Sequence, residues 1–232
     1  MVFSFLRKKR GDDPANVRSD SGFALKGAAG AVREAGVFDK KEADRAFSRY
    51  SKETISGLLG PLGFEKAGKA KWMRINPVGL LEYIDLQKEA RGSMTFTVNS
   101  ALLPMYVKCD YICIGFGNRI GRLICDRDVW WGYGNDGEAK ASFQNAAEAI
   151  ELFVIPWFAQ YGSESAYREK LVADIESGSV LTYPSKEWLE ALDSSVRDEG
   201  VVRENAAAWN VPKNLVDGYL ANLAHSVKGA CE

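Results

Sequence analysis

The chain has 232 residues, 46% hydrophobic and 26% charged, with 30 Lys+Arg against 31 Asp+Glu for a net charge of −1. That balance excludes disorder throughout and excludes a global positive field able to draw nucleic acid or an anionic membrane. No charge-free apolar stretch approaches the roughly 20 residues that span a bilayer, so no membrane span is expected. The start, MVFSFLRKKR, puts its apolar residues before the basic cluster, the reverse of a secretory signal. The four cysteines, Cys109, Cys113, Cys125 and Cys231, do not make a disulfide framework. A reducing cytoplasm is the expected location.

Residues 1–38 read as a flexible tail: a basic run at Arg7 to Arg10, turn chemistry in GDDPANVRSDSG, then a Gly- and Ala-rich stretch. Order begins at Asp39, where Asp39-Lys-Lys-Glu42 has the spacing of a helix-capping box. Ala43, Ala46, Phe47, Tyr50, Ile55, Leu58 and Leu59 follow at helical spacing, and Gly60-Pro61 is expected to stop the helix. The period then changes. Lys71 to Asn76, Leu80 to Lys88, Ser93 to Leu103, Tyr106 to Phe116 and Gly121 to Asp126 read as strands joined by short links, an antiparallel meander. Beyond Gly137, Ala146, Ala147, Ile150, Phe153, Val154, Trp157 and Phe158 restore a helical stripe that Pro156 should end or kink. From Ser163 only helices are expected: Ser163 to Ser177, Ser185 to Glu199 closed by Gly200, and a last one from about Pro212 towards Lys228.

The clearest stretch is Glu82 to Asn99, EYIDLQKEARGSMTFTVN. With Ala90-Arg91-Gly92 as the turn, Gln87 faces Thr95, Asp85 faces Thr97, Leu86 faces Phe96 and Ile84 faces Val98. Strand alternation then gives an apolar face of Ile84, Leu86, Phe96 and Val98 and a polar one of Asp85, Gln87, Thr95 and Thr97, expected to be wet.

In this order of elements, Gly60-Pro-Leu-Gly-Phe64, the strand around Trp72, Ile84-Asp-Leu-Gln-Lys88, Phe96-Thr-Val-Asn99, Arg122-Leu123 with Asp128-Val-Trp-Trp131, and the helix reaching Trp157-Phe158 recur together. Through them residues 43–161 resemble the family called domain of unknown function 4304. The resemblance implies a small α+β domain found in bacteria and brings no reaction with it.

The expected fold is therefore α+β: an antiparallel meander of about five strands packed against two helices (residues 39–161), followed by a small helical extension (162–232). Chemistry is sparse. His225 is the only histidine, so a multi-histidine metal site or a His-based triad has too few members. Cys109 and Cys113 share one face of an expected strand, with Cys125 near, but they sit among Ile112, Ile114 and Ile124 as small hydrophobes do. The glycines of Gly115 to Gly121 read as a hairpin loop rather than a phosphate cradle. No catalytic residue, metal or cofactor is assigned.

What remains is the polar face, Asp85, Gln87, Thr97 and Asn99, with Arg119, Arg122, Trp130 and Trp131. Trp and Arg concentrate where proteins bind each other, and in extended backbone two adjacent tryptophans point opposite ways, leaving one available. The first reading is a non-enzymatic protein-interaction module, with an immunity-type role as one form. The alternatives are a small-ligand binder or enzyme with a pocket between the sheet and the C-terminal helices, carrying Asp85, Gln87, Arg122 and Asp126, and a DNA-binding regulator through Asn205 to Leu220. That last run has a helix-turn-helix cadence, but Lys213 and Asn214 are nearly its whole complement of phosphate- or base-directed side chains.

Overall fold

The computed structural model describes residues 39–108, 117–177, 189, 190, 192, 193 and 197–229. The expected tail, Cys109, Cys113, Cys231 and the stretch 109–116 lie outside the described residues.

Asp39 caps α1 (Lys40–Tyr50): its Oδ1 accepts from the Glu42 amide at 2.8 Å, and the Glu42 carboxylate accepts from the Asp39 amide at 3.2 Å. The helix continues through a π turn, Ser51–Ile55, into α2 (Ser56–Leu59) and a 3-10 turn, Gly60–Leu62. It stops at Gly63, whose φ of +82° suits a residue without a Cβ. A second π turn, Ile150–Val154, joins α4 (Asp136–Ala149) to α5 (Ile155–Tyr161). Pro156 falls in the first turn of α5, where a missing amide hydrogen costs little after a π turn, so the helix runs on to Tyr161.

The sheet has six antiparallel strands: β1 (Glu65–Lys66), β2 (Lys71–Ile75), β3 (Leu80–Lys88), β4 (Thr95–Pro104), β5 (Gly117–Arg119) and β6 (Trp131–Gly132). The first five lie side by side in chain order, a meander, and β6 also pairs with β4. On the first face Phe96 packs against Phe47, Phe143 and Trp131, with ring centroids 5.6, 4.6 and 5.8 Å apart. Such pairs contribute about 0.5–1.5 kcal/mol each beyond their buried area. The helices α1 and α4 are thereby laid across this face.

Three local expectations are corrected. The β3–β4 hairpin turns about Gly92, φ +81°, so Gln87 pairs with Thr97, Asp85 with Asn99, Leu86 with Val98 and Ile84 with Ser100. The register is thus two residues from the expected one, and both faces keep their members because strand alternation has a period of two. Gly121 to Asp126 is not a strand: α3 covers Ile120–Ile124, with Ile120, Leu123 and Ile124 at helical spacing. A Cβ on Gly121 would lie 2.7 Å from the Val129 amide nitrogen, so glycine lets the chain fold tightly back here. Gly200 is not a stop either. It lies in the first turn of the helix capped by Asp198, whose Oδ1 accepts from the Gly200 amide at 2.7 Å.

After α6 (Glu164–Glu176) come α7 (Glu199–Trp209) and α8 (Lys213–Gly229). Val202, Asn205, Ala206 and Trp209 form one buried stripe on α7. Asn205 Nδ2 donates to the carbonyls of Met105 and Val107 at 2.9 and 2.7 Å, tying α7 to the end of β4. The Arg197 guanidinium lies 3.7 Å from the Tyr106 ring centroid, and Tyr219 of α8 packs on Gly79 between β2 and β3. The second sheet face is therefore not the wet surface expected. Leu81, Tyr83, Thr97 and Asn99 are 0%, 6%, 0% and 4% exposed, and of the expected polar set Asp85, Gln87, Thr95 and Thr97 only Gln87 is fully at the surface.

Candidate functional site

The pairings of β3, β4 and β5 decide which side chains meet. Asp85 stands opposite Asn99, Gln87 opposite Thr97, and Arg119 opposite Asn99, so all five share the second face with Lys71, which β2 places opposite Asp85. Asn99 Nδ2 donates to Gln87 Oε1 at 3.0 Å. Its Oδ1 and the Thr97 hydroxyl are buried without a hydrogen-bond partner among the described residues.

Burial pushes the Asp85 carboxyl above its usual range, against the opposing pull of Asn99 and Tyr83 hydrogen bonding and of the Lys71 charge. The Tyr83 phenol is raised in turn by its own burial and by the neighbouring Asp85 charge. A carboxyl in this state holds a proton more readily than a solvated one, which lets it donate as well as accept.

At the outer edge Arg119 Nη1 pairs with Asp128 Oδ2 at 2.6 Å, and its guanidinium sits 5.4 Å from the ring centroid of Trp130. Trp130 is half-buried, whereas Trp131, on the other side of the extended chain, is sealed in the core. Asp85, Gln87, Thr97, Asn99, Arg119 and Trp130 therefore gather on one face, and Trp131 does not join them. Arg122 is also elsewhere: on α3 it is exposed and pairs with Asp126 at 3.2 Å.

Beside Asp85 the surface opens into a cleft of about 450 Å³, lined by the β1–β2 turn with Lys69 and Lys71, by Asp85, and by Trp209 and Asn210 at the end of α7. The sequence reading missed Lys71, Tyr83 and this α7 terminus. The available signal was Trp209-Asn-Val-Pro212, in which an Asn before a Pro marks a left-handed helix end: Asn210 has φ +57°. Lys213, Asn214 and Asp217 line the exposed side of α8, and Asp217 is directed to Arg203 at 3.8 Å. His225 is exposed on the same helix. Among the described residues, no group of three or more His, Cys, Asp and Glu could hold a metal ion, and no helix is long and apolar enough to cross a membrane.

Residues 55–160 match the family model described as Domain of unknown function (DUF4304). The match runs from the first π turn to the end of α5, so α6, α7 and α8 lie outside it. No curated protein and no solved structure matches the chain.

Proposed function

We propose that this family domain serves here as a non-enzymatic, cytoplasmic interaction module of bacterial origin, binding a protein partner at the Arg119–Trp130 end of the second sheet face. The observation that carries the reading is the half-buried indole of Trp130 lying under the Arg119 guanidinium, with Asp128 fixing the arginine from the side. Held this way, both groups lose little conformational freedom on binding. Tryptophan and arginine together dominate the energetics of protein–protein contacts. Gln87, exposed on the same face, supplies polar complement beside them. An immunity-type role, in which a compact α+β domain neutralises a toxin, is one form of this reading and rests on analogy of fold.

Affinity capture from the source cell's lysate tests it, followed by reconstitution with the purified partner. The wild type is compared with Trp130→Ala and with Lys140→Ala, an exposed site on α4 away from the patch. A partner retained by wild type and Lys140→Ala and lost by Trp130→Ala supports the proposal. The same proteins on all three overturn it. The small-ligand reading has its own observation in the cleft beside Asp85.

A further inference from the structure

The cleft between the β1–β2 turn and the end of α7 is bordered by groups that give hydrogen bonds or carry positive charge. Lys69 and Lys71 are exposed at its rim, and neither is held in an ion pair with another described residue. Trp209, one of its walls, is 3% exposed, and its indole N–H has no acceptor among the described residues. Asn210, exposed at the end of α7, adds an amide side chain to the lining. Among the described residues that line it the one carboxyl is Asp85, half-buried and already engaged with Asn99, Lys71 and Tyr83.

A buried N–H without a partner is costly to leave unmade, and the Lys69 and Lys71 ammonium groups beside it, the second already drawn to Asp85 across the strand pair, favour negative charge as its complement. Trp209 adds an aromatic side chain to the lining, and about 450 Å³ lies in the range of small-molecule pockets. We propose that this cleft binds a small planar anion, a carboxylate or phosphate carried on a flat ring, with Lys69 and Lys71 meeting the charge and Trp209 the ring. The site is composite, since its lysines come from the segment that matches the family and Trp209 from the helices outside that segment. It goes beyond the partner-binding reading and uses none of the same contacts.

The test uses the full chain and anilinonaphthalenesulfonate, an anion carried on a flat naphthalene ring whose fluorescence rises on leaving water. Wild type is expected to bind it saturably. Lys69→Glu with Lys71→Glu should weaken binding about tenfold. Trp209→Phe, which keeps the wall and removes the N–H, should weaken it several-fold. Lys140→Glu, the same charge change at a distant site, and Trp130→Ala should leave it unaltered. Benzoate and phenyl phosphate as competitors tell which head group the cleft prefers, and displacement by either supports the proposal. Circular dichroism confirms the fold of each variant, and the Lys69/Lys71 variant, altered only at exposed positions, keeps the test valid if Trp209→Phe unfolds. No saturable binding, equal binding by the Lys69/Lys71 variant, or an equal loss in Lys140→Glu overturns the proposal.

Discussion

Trp131 Nε1 donates to Asn145 Oδ1 at 2.8 Å in the interior, where both residues are buried. The bond fixes the short strand β6 to α4, and the indole itself stacks on Phe96 at the centre of the first sheet face. Trp131→Ala removes the ring and strands the Asn145 amide, so a loss of about 3–5 kcal/mol is expected. Trp130→Ala, which gives up a half-exposed cation–π contact, should cost about 1 kcal/mol or less. Urea unfolding of the two single variants checks this ordering; equal losses would contradict the placement of the two rings.

Asn205→Ala leaves the Met105 and Val107 carbonyls without the donor that docks α7 on β4. The expected cost is about 1–3 kcal/mol. Because the contact joins α7 to the sheet, the variant should also be cut faster by trypsin at Arg203 than wild type. Unchanged cleavage with lowered stability would mean that α7 stays docked by its apolar stripe alone.

Gly79 has φ +86°, and a Cβ added there would lie 2.7 Å from Tyr219 Cζ. Gly79→Ala therefore suffers twice, from backbone strain and from displacement of α8, and about 1–3 kcal/mol should be lost from the strain alone. Gly92→Ala shares the positive φ and has open space around it, so it isolates the backbone contribution. Thermal unfolding of the two variants should show the larger loss at Gly79.

The raised pKa of Asp85 has a definite sign for stability. A carboxyl whose folded pKa lies above its unfolded value imposes no cost while protonated in both states, and stability is lost as pH rises through the folded value. Asp85→Asn keeps the shape without the charge. It should match wild type at about pH 3 and become the more stable of the two towards neutral pH. Thermal unfolding against pH reads the difference; parallel curves would show that Asp85 is better solvated than its place beside the cleft indicates.

Several local elements were legible in the residues alone. Asp39 and Glu42 carry the capping box in their spacing, and Ile84, Leu86, Phe96 and Val98 fall on one face however the hairpin is centred, because a shift of two residues preserves alternation. The chain order of β2 to β4 followed from links too short for a crossover, whereas β5 falls at Gly117–Arg119, inside the stretch read as a hairpin loop. Ile120 to Ile124 was not legible, since five residues with apolar positions fit either period. Choosing between Trp130 and Trp131 was not legible either: alternation says that they point apart, and only the pairing of Trp131 with Phe96 says which one enters the core. The covering of the second face was decided by tertiary structure alone. Asn205, Trp209 and Tyr219 reach Met105, the Asp85 cleft and Gly79 across about a hundred residues of chain or more. Contacts at that separation leave no period in the sequence, because they are set by how two finished surfaces fit.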